Sequence, residues 1–262
     1  MVRVGRTVRT TTTLLRLWVA AKRAARLDRP RRHALAAELA RRTVRALALD
    51  VRVRGCIPTD RPFLLVANHV SWLDVYVLNA VGGALRFVAK RETASWPVVG
   101  RITRAFDTIF IVRGSFRDAA RVRTAVAAAL RAGESVAVFP EGTTTDGSTL
   151  RRFHGALFQA AIDAGATVVP IALRYARPDG TPAAAAAFID DMTFAGSLAR
   201  VLAEPELLAI LDVGQPIPAS GWTRRGLAGH CRTVVATALA LPDAALEPEF
   251  ERPARRSAPR AA

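Results

Sequence analysis

The chain has 262 residues, of which 51% are hydrophobic, enough for one large or two small domains with a sizeable core, which excludes global disorder. Lys and Arg outnumber Asp and Glu by 38 to 22, giving a formal charge of +16, so an anionic partner is implied: nucleic acid, an anionic membrane surface or a phosphorylated substrate. No run reaches the roughly eighteen apolar residues that a bilayer-spanning helix needs.

The basicity is concentrated early. Residues 1–54 hold fifteen Arg or Lys against Asp28, Glu38 and Asp50, a local net charge of +12. Residues 8–27 read as a helix with Leu14, Leu15, Trp18, Ala21 and Ala25 on one stripe and Arg16, Lys22, Arg23 and Arg26 supplying charge. Arg29-Pro30-Arg31 breaks it, and residues 33–48 read as a second helix carrying Leu35, Leu39 and Leu47. A basic amphipathic helix with a Trp can lie in an anionic membrane interface; the alternative is a helical hairpin packed on the rest of the chain. Arg16 interrupts the apolar stretch 14–21 and no small-residue cleavage site follows, so no signal peptide is expected.

From residue 51 the pattern turns α/β. Strands are expected at 51–54, 63–66, 86–90, 108–112, 135–139, 167–173 and 207–213. Helices are expected near 72–80, within 93–105, and at 116–131, 155–164 and 222–240. Residues 176–205 give no clear element beyond a Pro178-Asp179-Gly180 turn and an alanine run at 183–187. This alternation predicts a largely parallel central sheet flanked by helices, preceded by a basic helical pair. The expected division is a membrane-association region at 1–50, a catalytic domain at 51–245 and a disordered basic tail at 246–262. Cys56 and Cys231 are too few and too far apart for a zinc pattern or a disulfide framework, and are expected as reduced, buried thiols of a cytosolic protein.

In parallel sheets, sites collect at the carboxyl ends of strands. His69, Arg113 and Glu141 each follow the end of an expected strand. His69 and Asp74 stand five residues apart, with Asp74 in the first turn of the helix after the loop. A carboxylate there can hold one imidazole nitrogen and leave the other free to take a proton. Ser71-x-x-Asp74 also has the spacing of a capping box, so Asp74 can cap the helix and His69 can be a buried, hydrogen-bonded side chain; the two roles are compatible. Phe139-Pro140-Glu141-Gly142-Thr143-Thr144-Thr145-Asp146-Gly147 gathers a carboxylate, glycines and hydroxyls in one loop where backbone N–H groups can approach an anion. It lacks the Gly-Lys-Ser/Thr ending of a Walker A loop, and a decorated turn is the alternative. Arg113 can bind phosphate through its guanidinium fork or be a solvated charge.

Taken in order, these pieces resemble the glycerolipid acyltransferase family, of the 1-acylglycerol-3-phosphate acyltransferase type. Asn68-His69-Val70-Ser71-Trp72-Leu73-Asp74 is similar to its first block, Ile109-Phe110-Ile111-Val112-Arg113 to its second, Phe139-Pro140-Glu141-Gly142-Thr143 to its third and Val168-Val169-Pro170-Ile171 to its fourth. The resemblance spans residues 50–218. It implies transfer of a fatty acyl group from acyl-coenzyme A or acyl carrier protein, as co-substrate, to the free hydroxyl of 1-acylglycerol-3-phosphate, giving phosphatidic acid, with no cofactor and no metal. His69 would be the general base and Asp74 would orient it. Glu141, Gly142 and Thr143 would hold the acceptor's glycerol-phosphate end, with Arg113 on its phosphate and backbone N–H groups of these loops as oxyanion donors. Departures bear on the acceptor: the family often has Arg where this chain has Thr144, Gly near Asp107, an acidic residue at Val112 and Phe-Lys-x-Gly near Phe153-His154-Gly155. Arg151 and Arg152 can replace the cation missing at 144; alternatively the acceptor is lyso-ornithine lipid or another lysophospholipid. A non-catalytic basic protein on membrane or nucleic acid is the alternative of another class. The four blocks and the lack of a basic-plus-aromatic array weigh against it, so no nucleic-acid partner is expected. The expected partners are the two substrates, an anionic membrane surface at the cytoplasmic face of the cell membrane, and acyl carrier protein as a donor.

Overall fold

In the computed structural model the apolar runs line up in one eight-stranded sheet. Residues 12–13, 16, 19–20, 22–24, 26–96, 99–112, 115–242 and 245 are described. The strands are β1 (Leu49–Arg54), β2 (Phe63–Ala67), β3 (Leu85–Lys90), β4 (Ile109–Ile111), β5 (Ser135–Val138), β6 (Thr167–Ala176), β7 (Leu207–Val213) and β8 (Ile217–Pro218). The α-helices are α1 (Arg29–Ala46), α2 (Leu73–Gly82), α3 (Val99–Ala105), α4 (Phe116–Arg131), α5 (Phe158–Ala164), α6 (Phe194–Ala203) and α7 (Arg224–Leu239). The order across the sheet is β1-β7-β6-β2-β5-β3-β4, with β8 on β6. Strands β2 to β6 run parallel; β1 and β7 pair parallel with each other but oppose β6, as does β8. The largely parallel, helix-flanked sheet expected from the sequence is therefore present, with a reversed flank.

β2 sits at the centre, and all five of its residues are buried. That is the signature of a strand covered on both faces, where alternate side chains enter opposite cores. Leu64 and Val66 face a cluster completed by Val122 and Val126 of α4, Phe158 of α5 and Leu227 and Val235 of α7. Leu65 and Ala67 face the other cluster, with Val44 of α1, Leu73, Val77 and Leu78 of α2 and Val201 of α6. Truncating Leu64 or Leu65 to Ala would cost about 2–5 kcal/mol by the usual cavity penalty.

Asp28 caps α1 by accepting from the Arg31 N–H at 2.9 Å, and Pro30 lies in the first turn, so the Arg-Pro-Arg stretch also starts the next helix. The buried face of α1, including His33, Leu39, Ala40 and Val44, packs against α2, and Arg29 and Arg32 reach Glu134 and Asp107 at 2.7 and 2.8 Å. Asp107 has φ +55°, a left-handed conformation that favours glycine, near the place where the family often has one. Of the helix expected at 8–27, residues 12, 13, 16, 19, 20 and 22–24 are helical; the rest of it, and the tail at 246–262, lie outside the described residues. A helix lies within 93–105 as expected, α3, preceded by a 3-10 turn (Arg91–Ser95), and 176–205 contains α6, started by the Thr193 side chain accepting from the Gly196 N–H at 3.1 Å. Cys231 is buried, and burial pushes its thiol up to about 12; Cys56, expected to be buried, is exposed in the segment that follows β1.

Candidate active site

The loop between β2 and α2 is built so that each polar group has a defined partner. Asn68 extends the β2–β6 pairing with its side chain: its carbonyl accepts from the Leu173 N–H and its amide donates to the Leu173 carbonyl, both at 2.8 Å. The chain then turns, and His69 Nδ1 lies 2.7 Å from Asp74 Oδ2. The same oxygen accepts from the N–H groups of Val70 at 2.8 Å and Ser71 at 3.0 Å, while Asp74 Oδ1 accepts from the Tyr175 hydroxyl at 2.7 Å. Capping and imidazole orientation therefore coincide, although Ser71 Oγ, buried and without a hydrogen-bond partner among the described residues, does not complete a reciprocal capping box.

The Asp74 side chain is 0% exposed and that of His69 20%, so the carboxylate is sealed and the ring reaches solvent. Burial, and then the Asp74 charge, hold the Tyr175 hydroxyl well above its ordinary range, so it stays protonated and donates. The His69 ring stacks on Phe139 with centroids 3.9 Å apart and planes 9° from parallel. An imidazole fixed at Nδ1 by a carboxylate presents Nε2 for proton exchange.

Glu141 is 4% exposed. Its Oε1 accepts from the His69 N–H at 2.7 Å and its Oε2 from the Arg151 N–H at 2.9 Å. Burial pushes its carboxyl from 4.5 up to about 7, against the two backbone donors; the Asp74 charge adds to the rise. Both oxygens are thus committed to bracing the two loops. Gly142 has φ +72° and donates its N–H to the Phe139 carbonyl at 3.0 Å, a turn suited to glycine. Thr143 is half-buried beside it, and the Thr144 hydroxyl donates to the Phe188 carbonyl. The Thr145 N–H donates to the His69 carbonyl at 2.8 Å, and the Phe188 N–H to the Val70 carbonyl at 2.9 Å. The amides of His69, Val70, Ser71, Gly142 and Thr145 are therefore already engaged, which narrows the backbone donors left for an oxyanion.

His69, Asp74, Glu141, Gly142 and Thr143 come together at the carboxyl ends of β2 and β5, with Arg151 tied in through its backbone. The Arg151 side chain is exposed and Arg152 is half-buried beside it. Arg113 lies outside the described residues. Sequence reasoning missed Tyr175, Phe139 and the role of Trp72, whose Nε1 donates to the buried Ser197 hydroxyl of α6 at 3.0 Å.

The acyltransferase family model matches residues 49–174. The chain is similar, at 41% identity over 194 residues covering 74% of each chain, to the lyso-ornithine lipid O-acyltransferase of Pseudomonas aeruginosa. It is 42% identical over 154 residues to the 1-acyl-sn-glycerol-3-phosphate acyltransferase of Neisseria meningitidis, covering 58% of this chain and 60% of that one. The crystal structure of the 1-acyl-sn-glycerophosphate acyltransferase PlsC from Thermotoga maritima superposes with a TM-score of 0.62 at 21% identity, over 90% of this chain and 96% of that one, and so shares its fold.

Proposed function

Because the chain belongs to the glycerolipid acyltransferase family, we propose that it moves a fatty acyl group from an acyl thioester, of coenzyme A or acyl carrier protein, to the free hydroxyl of a lysolipid, with 1-acylglycerol-3-phosphate as the first acceptor. The observation that carries the mechanism is the 2.7 Å contact between His69 Nδ1 and a carboxylate that is fully buried and held by three further donors. His69 Nε2 takes the hydroxyl proton as the oxygen attacks the thioester carbon. Asp74 stabilises the imidazolium, the carbon–sulfur bond breaks, and the departing thiolate recovers the proton. Stacking on Phe139 keeps the ring in place throughout. Glu141 acts by holding the loop that carries His69.

Lyso-ornithine lipid is the second reading for the acceptor. Thr144 stands where the family often has a cation, and its hydroxyl is occupied by the Phe188 carbonyl; the Pseudomonas relative also carries that name. The protein would work at the cytoplasmic face of the membrane, peripherally. Among the described residues no helix is long and apolar enough to cross a membrane. The exposed Arg16, Lys22 and Arg23 would face anionic lipid.

The test is acyl transfer by purified protein in detergent, with both thioesters and both lysolipids offered side by side. Wild type should form product, and His69→Ala should lose about 10²–10⁴-fold in rate, the usual worth of a positioned base. Equal rates in the two would remove His69 as the base; no transfer to either lysolipid would overturn the reaction.

A further inference from the structure

Residues 147–162 and 213–242, which carry the start of α5 and the whole of α7, hold five Arg and no Lys, Asp or Glu. The flanking Asp163 is already matched by Arg123 at 3.4 Å, and Asp146 accepts from Ser148. Elsewhere Arg61, Arg86, Arg121, Arg174 and Arg177 each face a carboxylate within 3.2 Å. Arg224 and Arg225 do not. Both are exposed, and their side chains make no hydrogen bond or ion pair among the described residues. They occupy the first turn of α7, where cations oppose the helix dipole, so helix stability gives no reason for them. Beside them Trp222, 38% exposed, stacks on His230 with centroids 5.1 Å apart and planes 29° from parallel. Residues 221–226 are all exposed, so a Trp and two Arg stand together on a projecting rim.

This rim abuts the loop that braces His69. Arg232, also on α7 and buried, donates from Nε to the Arg151 carbonyl at 3.2 Å and from Nη2 to the Leu150 carbonyl at 3.1 Å. The Arg151 N–H in turn holds Glu141. Gly155 packs on the first turn of α7: a Cβ there would lie 3.1 Å from the Arg224 carbonyl oxygen. Next to it, the His154 N–H donates to the Pro140 carbonyl at 2.9 Å. Helix α7 covers the sheet face that it shares with α4 and α5, whereas α1 packs on the other face. The charges proposed above to meet lipid lead into α1, so the rim lies across the sheet from the helix they precede.

We propose that the α7 rim docks an acidic carrier protein that delivers the acyl thioester, with Arg224 and Arg225 meeting its carboxylates and Trp222 packing between them. This rests on the acyl-transfer reading above and names a docking face for its donor. Trp and Arg are enriched where protein–protein binding energy concentrates. A membrane fits the rim less well: Leu227, Cys231 and Val235, the apolar face of α7, are buried in the core, so no apolar stripe is left to enter lipid. Small ligands are held in concave sites, whereas six consecutive exposed residues project. A carrier has only to bring its flexible arm to the histidine, so its docking face can stand beside the catalytic loop.

The variant Arg224→Glu/Arg225→Glu reverses both charges in the full chain and agrees with the helix dipole, so it should unfold no earlier than wild type. Arg224→Gln/Arg225→Gln is the second variant should the first not fold. Initial rates in detergent are measured with a bacterial acyl carrier protein thioester and with acyl-coenzyme A of the same chain length. KM for the carrier thioester should rise about tenfold in the reversed variant and about threefold in Trp222→Ala, as for rim charges and an aromatic contact. KM for acyl-coenzyme A and for the lysolipid, and sedimentation with anionic vesicles, should not change. Raising salt from about 50 to about 300 mM should raise the wild-type KM for the carrier thioester and leave that of the reversed variant unchanged or lower. An equal rise in KM with both donors overturns the proposal, since it puts the anion on a phosphate that both donors carry. Weaker vesicle binding with carrier KM unchanged overturns it in favour of a lipid face, and no change in any quantity overturns it outright. So does a wild type that uses acyl-coenzyme A but not the carrier thioester. A wild type idle with both donors counts instead against the acyl-transfer reading.

Discussion

Replacing Glu141 with Gln should stabilise the protein at pH 8 while removing most of its activity. In the folded state burial raises this carboxyl from 4.5 to about 7, a difference worth about 3 kcal/mol. Because the folded value is the higher one, the native state binds the proton more tightly than the unfolded chain. The resulting stability is fully present below pH 4.5 and is lost as the pH rises through 7. Glutamine keeps the shape and one acceptor but never carries the charge, so at pH 8 it is spared that penalty. Against this, its NH₂ faces one of the two N–H donors, His69 or Arg151, leaving a buried donor unpaired at about 1–2 kcal/mol. The net effect at pH 8 is a gain of about 1–2 kcal/mol, a few degrees in Tm for a chain of this size. At pH 4.5 the wild-type carboxyl is protonated too, only the mismatch remains, and the variant should melt lower than wild type. Activity should fall roughly hundredfold, because a shift of about 1 Å in a catalytic loop is enough for that. Thermal unfolding by circular dichroism from pH 4.5 to 8.5, with acyl-transfer rates on the same samples, tests it. A Tm difference of constant size across that range would refute the reasoning, as would full activity in Glu141→Gln.

Tyr175→Phe removes a donor from a buried carboxylate; stability should fall by about 2 kcal/mol and kcat by roughly tenfold with little change in lysolipid KM, read by denaturant titration and steady-state kinetics. The triple variant Arg16→Gln/Lys22→Gln/Arg23→Gln should bind anionic vesicles more weakly, by about 1 kcal/mol per charge near the surface; unchanged sedimentation with the vesicles would count against membrane contact there. A thiol reagent at pH 8 should modify Cys56 quickly and Cys231 only on unfolding, since one thiol is exposed and the other is buried and held up near 12; equal labelling rates by mass spectrometry would contradict this.

The histidine loop was legible because its chemistry is local: His69, Ser71 and Asp74 lie within six residues, and the apolar run before them announces a strand. Helix α4 and strand β7 matched the expected boundaries because their periodicity is uninterrupted. Tyr175 was not legible as a site residue because it stands 101 positions from Asp74 on a strand that reads as core. Its one signal is a phenol hydroxyl in a buried run, which needs a partner. Glu141 reads from sequence as a ligand-facing carboxylate, because a polar loop near glycines does not disclose that the carboxylate is sealed. Strand direction carries no sequence signature either, so the reversal of β1 and β7 appears only once partners are known. Helix α6 had a cap at Thr193 and apolar positions at Phe194, Leu198, Val201 and Leu202, but Gly196 and the alanines around it dilute the period.

Loops are ordinarily where a fold absorbs gained and lost residues. Here the segments around the histidine are cross-stitched through main-chain groups: Glu141 to the amides of His69 and Arg151, Thr145 to the His69 carbonyl, Phe188 to the Val70 carbonyl. Adding or deleting one residue within 68–74 or 139–151 would shift every later donor off its acceptor. These turns are therefore the least elastic part of the chain in length. Indels among homologous chains should fall instead in segments such as 55–62 and 177–182, which carry no such stitches to the histidine loop.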